Sequence, residues 1–469
     1  WLAEAAVGID PGRVLAATTS PTSRVGPMIA RLAALGNVLV IEPDVARARW
    51  MVGRLNRAGL RAHGHPRQWA AGFTGGVVVG SRSAVWAPLP DPVAVVVLDE
   101  HDESLQEERT PTWHARDVAV ERARRSGARC VLAGPILSPA ALAAADEVVH
   151  APRTEMRRGW PLVEVVDRRR DDLGFNSLFS PRLANVLRSA ERAVVVLNRK
   201  GRAHLLACAT CGALARSEDG RHVMTEDEGG LVAPATGERR PLVCADCGGT
   251  SLKRLRLGVS RAAEELGRLV DRPVVEIGSD RSRSDQSEKS AIVLGTEAAL
   301  RALDRCDVVA FLDFDQELLA PRYRAAQQAM ALLARGAELV GGRRDVSRLL
   351  VQTRVPDHPV LRAASTADPA TLSRRESESR RAMGWPPFGA LAEVSGDGAP
   401  AMADALAVVM SADPELARRC TLLGPRQDGR YLVSVGPGEV DAGQVLADLL
   451  AAVPRPRQRL RVVVDPPRA

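Results

Sequence analysis

The sequence predicts an α/β protein of two doubly wound parallel lobes. A cysteine-bearing insertion interrupts the second lobe, and a small α+β unit closes the chain. Three observations carry this reading. Short β-branched runs alternate with Ala/Arg-rich helical stretches, first up to about residue 150 and again from about residue 190. Two CxxC pairs sit inside the second alternation. Two further strand–helix repeats and a last strand follow Trp385-Pro386-Pro387-Phe388-Gly389.

In the first lobe the expected strands are Val14–Ala17, Val38–Ile41, Gly76–Val79, Ala94–Leu98 and Arg129–Leu132. Helix formers dominate Val45–Ala58 and Ala115–Arg125 between them. In such a sheet the ligand edge lies at the strand C-termini. The arginine-dense stretch Thr154–Asp172 reads as a connector. The second lobe's strands are read at Ala193–Leu197, Val274–Ile277, Ala291–Leu294, Val308–Asp313 and Leu349–Gln352. A short helical link should follow Val355–Pro359. The closing unit reads as strand, helix Ala399–Met410, strand Tyr431–Val435, helix Ala442–Ala452 and strand Leu460–Val464. The expected domains are residues 1–152, then 153–203 with 257–355, an insertion at 204–256 without strands of its own, and 356–469.

Composition narrows the function classes. Hydrophobic residues make up 45% of the 469 and aromatics only 3%, so the cores must be built of Val, Leu and Ala. The formal net charge is +7, which suits a polyanionic partner without specifying one. Of 64 basic residues only Lys200, Lys253 and Lys289 are lysines, and none precedes position 200. The seven cysteines do not make a secreted disulfide framework. No apolar run reaches the ~18 residues of a membrane span. A cytoplasmic protein is expected, with no membrane partner. The chain starts at Trp1 rather than Met, so an N-terminal portion is expected to be missing.

The metal motif is specific. Cys208-Ala209-Thr210-Cys211-Gly212 and Cys244-Ala245-Asp246-Cys247-Gly248 form two CxxCG knuckles. The glycine after each second cysteine lets the backbone turn beneath the sulfur. Four thiolates fill a tetrahedral structural zinc site with no open position. One structural Zn2+ is expected, holding an insertion that buries little apolar surface. Nearby His204 and His222 are read as surface residues.

The nucleotide motif is incomplete. A phosphate-binding loop needs glycine-rich backbone, a lysine and a Ser/Thr. After the first strand the chain has Thr18-Thr19-Ser20-Pro21-Thr22-Ser23-Arg24, with no glycine or lysine. Arg24 is a poor stand-in, being bulkier and planar. An acidic element does follow a buried strand, at Asp99-Glu100-His101-Asp102. There Asp99 could hold Mg2+ and Glu100 orient a water.

Several segments together resemble the PriA family of superfamily 2 DNA helicases. Gly80-Ser81-Arg82-Ser83-Ala84 is similar to its G-T/S-R-S-A element, and Asp99-Glu100-His101-Asp102 to its DEEHD box, one residue short. Trp113-His114-Ala115-Arg116-Asp117 matches Y-H-A-R-D, and Leu197-Asn198-Arg199-Lys200-Gly201 matches L-N-R-R-G. Val293-Leu294-Gly295-Thr296-Glu297, Leu312-Asp313-Phe314-Asp315, Pro356–Leu361 and Trp385–Phe388 follow in family order. The resemblance runs from about residue 30 to 469. It implies two RecA-like, helicase-type lobes with a zinc ribbon in the second.

The departures matter equally. The family's G-S-A-T-P element is here Ala133-Gly134-Pro135-Ile136-Leu137-Ser138-Pro139. Its Q-x-x-G-R-A-G-R element, which supplies an arginine finger, is here Glu338-Leu339-Val340-Gly341-Gly342-Arg343-Arg344. Four of the family's usual eight zinc cysteines remain, and its N-terminal DNA-binding regions have no counterpart. The pattern resembles the actinobacterial branch, whose members lack recognisable helicase motifs.

The resemblance implies a role in DNA replication restart. The chain would bind forked or single-stranded DNA and help reload the replicative helicase beside other primosome proteins, without ATP hydrolysis. Arg82, Arg116, Arg199 and Arg202 are the candidate phosphate contacts. Alternatives are a working ATP-dependent 3′-to-5′ DNA helicase using Asp99 and Glu100, nucleotide binding without turnover, and a zinc-ribbon interaction protein with no DNA role.

Overall fold

The structure is a computed structural model. It describes residues 1–469 apart from 110, 171–177, 199–205, 214, 219–222, 228–229, 234–235, 255–258, 278–290, 345–346, 427 and 467–469. The chain divides into two compact units, Trp1–Met156 with Asp368–Ala469, and Arg157–Ala367.

The first unit contains a seven-stranded parallel sheet. Its strands are β1 (Val14–Thr18), β2 (Asn37–Ile41), β3 (Ala62–Gly64), β4 (Val77–Gly80), β5 (Pro92–Leu98), β8 (Arg129–Gly134) and β9 (Glu147–His150), ordered β3-β4-β2-β5-β8-β1-β9. A two-stranded hairpin, β6 (Gln106–Glu107) and β7 (Trp113–His114), projects between β5 and β8 in the chain. Central strands are buried on both faces, so their sequences read as unbroken Val/Leu/Ala runs. The two faces still sort by period two. Leu15, Val38, Val40, Val96 and Val131 enter one core, and Val14, Leu39, Val95, Val97 and Leu132 the other. Asp44 caps the helix Val45–Arg57 by accepting from the amides of Ala46 and Arg47, and Gly127 ends the helix Ala115–Ser126 in left-handed geometry.

The second unit carries a six-stranded parallel sheet of β10 (Leu162–Asp167), β11 (Ala193–Leu197), β17 (Val274–Ile277), β18 (Ile292–Gly295), β19 (Val308–Leu312) and β20 (Arg348–Thr353). The order is β10-β20-β19-β11-β18-β17. The expected connector at Thr154–Asp172 instead contains the helix Arg153–Gly159 and the edge strand β10. An edge strand is half exposed, so β10 lacks the buried valine run that marks its neighbours. The helix Pro359–Ser365 packs on β10 and on the helix Ala325–Val340.

The insertion was expected to lack strands, and its described residues include five short ones. β12 (Leu206–Cys208) pairs antiparallel with β16 (Leu252–Arg254). β13 (Thr225–Asp227), β14 (Gly230–Val232) and β15 (Arg239–Pro241) form a meander. Three-residue strands are too short to show a period in sequence. Leu206, Ala215, Met224, Leu231 and Ala233 make a small core beneath them.

The C-terminal unit is a four-stranded antiparallel sheet ordered β22-β23-β21-β24, of β21 (Ala390–Ser395), β22 (Cys420–Leu423), β23 (Tyr431–Val435) and β24 (Arg461–Val464). The helices Ala399–Ala412 and Ala442–Ala452 bury Met402, Leu406, Leu446 and Leu449 against it. The helix leading into it, Pro369–Met383, packs on Pro139–Ala144 of the first lobe.

Candidate functional site

The best-formed site is the cysteine cluster. β12 and β16 hold the bases of the two knuckles together, and the Ala209 amide donates to the Ser251 carbonyl at 2.8 Å. The knuckles are near copies. Gly212 and Gly248 both have φ of 72°, and their amides each donate at 3.0 Å to the carbonyl of the first cysteine, Cys208 or Cys244. This left-handed turn is why glycine follows the second cysteine. The sulfurs of Cys208, Cys211, Cys244 and Cys247 all lie within 4.8 Å of one another. Cys208 Sγ is 3.5 Å from Cys247 Sγ, and Cys211 Sγ is 3.5 Å from Cys244 Sγ. Tetrahedral thiolates around one ion at ~2.3 Å stand about 3.8 Å apart, so the set fits a single metal ion. The amides of Cys211 and Thr210 pull the Cys208 thiol down to about 6, while hydrogen bonding among the crowded sulfurs pushes the Cys211 and Cys247 thiols up. A Cβ on Gly249 would lie 3.3 Å from two of the sulfurs, so glycine there leaves them room. His204 and His222 lie outside the described residues.

The second site is the C-terminal edge of the first sheet. β1 and β5 flank β8, which brings the loop after β1 and the acidic element after β5 to one edge. The loop is closed on itself. The Ser20 amide donates to Ser23 Oγ at 3.0 Å, and the Ser23 amide to the Ser20 carbonyl at 3.0 Å. Ser23 Oγ then donates to Glu155 Oε1 at 2.7 Å, while Trp1 Nε1 donates to Glu155 Oε2 at 2.6 Å. A carboxylate therefore stands where a phosphate loop would present donors. Pro21 offers no amide.

Asp99 sits at the end of β5 with φ of 46°, and its amide donates to the Ala133 carbonyl at 2.9 Å. Arg47 lies 3.6 Å from Asp99 and 3.6 Å from the fully buried Glu42. Glu100 is fully buried. It accepts from the Ser138 amide at 2.6 Å and from Ser138 Oγ at 2.8 Å, and pairs with Arg116 at 3.2 Å. This carboxylate faces protein donors, away from the solvent a hydrolytic water would come from.

Arg116 was expected to meet phosphate. It is instead buried, held between Glu100 and Asp117, with Asp117 at 2.8 Å. Burial opposes its charge, but the Asp117 and Glu100 carboxylates outweigh this and raise its pKa above the ordinary value. Sequence reasoning missed the pair because Glu100 lies 16 residues away and becomes a neighbour only through the sheet. Arg82 is half-buried and pairs with Glu107 at 2.9 Å, also donating to the Gln106 carbonyl at 2.6 Å. Arg199 and Arg202 lie outside the described residues. In the second lobe Arg344 donates to the Val340 carbonyl at 2.7 Å and so caps the helix Ala325–Val340.

Two doubly wound parallel α/β lobes, the second carrying four cysteines placed to hold one metal ion, define the class of fold. No family-wide sequence profile matches the chain. It is 28% identical over 345 residues to "Replication restart protein PriA" of Bacillus subtilis, covering 68% of this chain and 43% of that protein. It is 30% identical over 367 residues to "Probable replication restart protein PriA" of Mycobacterium tuberculosis, covering 72% and 55%. The Mycobacterium leprae relative of the same name is 30% identical over 347 residues, covering 68% and 52%. The chain belongs to the PriA family. It spans about half the length of the curated relatives it matches. Among solved structures, the chain is similar to a DEAD box protein from Methanococcus jannaschii over 76% of this chain and 86% of that one, at TM-score 0.38 and 11% identity.

Proposed function

We propose that this chain is a replication-restart protein that binds forked or single-stranded DNA and works as a scaffold without hydrolysing ATP. The observation that carries the second half is the loop after β1, closed by Ser20, Ser23 and Glu155 with no lysine in the lobe. A phosphoryl-transfer site depends on backbone donors and cations aimed at the phosphates. Here the donors bind each other and a carboxylate. The burial of Glu100 under Ser138 and Arg116 supports the same reading, since the residue positioned to orient water is held by the core.

The four cysteines are read as the ligands of one structural Zn2+. A closed set of thiolates on paired knuckles favours zinc over harder ions. When bound, the ion would supply folding stability to the insertion and no chemistry at the sheet edge. The partners on this reading are DNA and the proteins that load a replicative helicase, in keeping with the name borne by the longer relatives.

Fork binding titrated against salt tests the DNA half. Phosphate contacts release counterions, so log K should fall linearly with log[salt], by ~0.7–0.9 per contact. A flat dependence favours the zinc-ribbon interaction protein instead.

A further inference from the structure

A cleft of about 730 Å³ opens in the first unit where the β6–β7 hairpin meets the C-terminal sheet. Arg82, Arg109, Arg459 and Arg461 line it with three carboxylates, Glu103, Glu107 and Glu108. The hairpin is held to edge strand β24 through Val464 and Arg461, the latter also donating to the Glu108 carbonyl at 3.5 Å. Val464 N donates to Thr112 Oγ1 at 3.3 Å, and Arg461 pairs with Glu108 at 3.1 Å. Arg82 pairs with Glu107 at 2.9 Å. The hairpin's two carboxylates thus stand on two arginines in the way phosphates would.

The arginines continue beyond the cleft. Arg455, Arg457, Arg459 and Arg461 alternate along the segment entering β24, and all four are exposed. The guanidinium groups of Arg455, Arg457 and Arg459 have no carboxylate partner among the described residues. This segment is anchored. The Arg459 carbonyl accepts from the Gly398 amide at 3.0 Å, and a Cβ on Gly396, whose φ is +100°, would lie 2.5 Å from that oxygen. Only glycine at 396 admits so close an approach. The row of cations is therefore presented by fixed backbone. Four residues beyond Arg82, Trp86 is 60% exposed and packs edge-on against Trp113 of the hairpin at 5.5 Å, an exposed ring of the kind bases stack on.

We propose that this cleft binds the phosphodiester backbone of a single nucleic-acid strand. Arg82, Arg459 and Arg461 take phosphates, Arg455 and Arg457 extend the track, and Glu107 and Glu108 are built-in competitors that the strand displaces. The exchange is easiest at Arg461–Glu108, an exposed and therefore weak ion pair, whereas the arginine–phosphate contacts that replace both pairs also release counterions. The proposal deepens the DNA-binding reading above and rests on it.

The test is a salt titration of labelled oligo(dT) binding by the full chain, with oligo(U) and inorganic pyrophosphate as competitors. The variants are Arg455→Ala/Arg457→Ala/Arg459→Ala, Glu107→Gln/Glu108→Gln, and Arg31→Ala on a distant exposed helix as control. The triple variant should lower the slope of log K against log[salt] by about 2, at ~0.7 per lost contact. The double variant should bind more tightly than the parent, a result that a purely structural role for the two glutamates would not give. If the parent binds oligo(dT) and the triple variant matches the Arg31→Ala control, the cleft assignment falls and the DNA reading stands. If the parent binds no strand, both fall. Competition by oligo(U) equal to that by oligo(dT) supports a backbone site blind to sugar. Pyrophosphate displacing the strand at equal phosphate concentration marks a small-anion site and overturns the proposal.

Discussion

Replacing Glu100 by glutamine separates a structural carboxylate from a catalytic one. The side chain is fully buried, receives two hydrogen bonds from Ser138, at 2.6 and 2.8 Å, and pairs with a guanidinium at 3.2 Å. Glutamine keeps the shape but turns one acceptor into a donor, facing either the Ser138 donors or Arg116. The one carboxylate left to Arg116 among the described residues is Asp117, whose side chain is 60% exposed, beside a neutral bond to Ser138 Oγ at 3.3 Å. Breaking a buried pair by removing one partner costs about 3–5 kcal/mol. For a folding unit of about 250 residues each kcal/mol moves the melting point by roughly 2–4 °C, so Glu100→Gln should lower it by about 10 °C. Asp99→Asn is the contrast. Its link to Arg47 is a looser, 3.6 Å contact with an arginine side chain that is 36% exposed. Such a pair contributes about 1 kcal/mol or less, a shift under roughly 4 °C. Differential scanning calorimetry of the two variants beside the parent reads both. Equal melting points, or a larger loss for Asp99→Asn, would refute the argument that Glu100 belongs to the core. A residue kept for catalysis would leave stability unchanged or improved on removal.

Three further outcomes follow from the same geometry. Cys208→Ser should reduce bound zinc from one ion per chain to near none by elemental analysis, with protease cleavage appearing first in residues 206–254; unchanged zinc would refute the ligand set. Gly295→Ala should destabilise the second lobe by about 1–3 kcal/mol in urea, because the new Cβ would lie 2.4 Å from the Ile277 carbonyl oxygen. Arg344→Ala should cost the helix Ala325–Val340 its C-terminal bond and lower stability by about 1 kcal/mol, with no effect on nucleotide turnover.

The sequence showed the sheets where burial is complete. Val95–Leu98 and Val194–Leu197 are unbroken apolar runs because both faces are covered. It was silent at the edge strands β3, β9 and β10 and at very short strands, while the apolar runs of the edge strands β17 and β24 were legible. β9 and β10 expose much of their surface, and β13, β14 and β15 have three residues each. The cysteine cluster was legible because each CxxC spacing pairs two thiols, although it is the pairing of β12 with β16 that brings the two pairs together. Arg116 was not, since an arginine in sequence looks the same whether it faces solvent or a buried glutamate. Arg459 and Arg461 carried no motif in the sequence, and only the fold puts them beside Arg82 and the β6–β7 hairpin. The closed state of the loop after β1 was half legible. The missing lysine was plain, whereas Glu155 as its carboxylate partner required the structure.

The most direct test of a DNA-binding scaffold without a motor is ATP hydrolysis by the purified chain with forked DNA, run beside Asp99→Asn. The account predicts fork binding that weakens with salt and turnover no greater than in Asp99→Asn. Fork-stimulated turnover that Asp99→Asn abolishes would contradict it, and would mean that the loop closed by Ser20, Ser23 and Glu155 opens to hold a nucleotide.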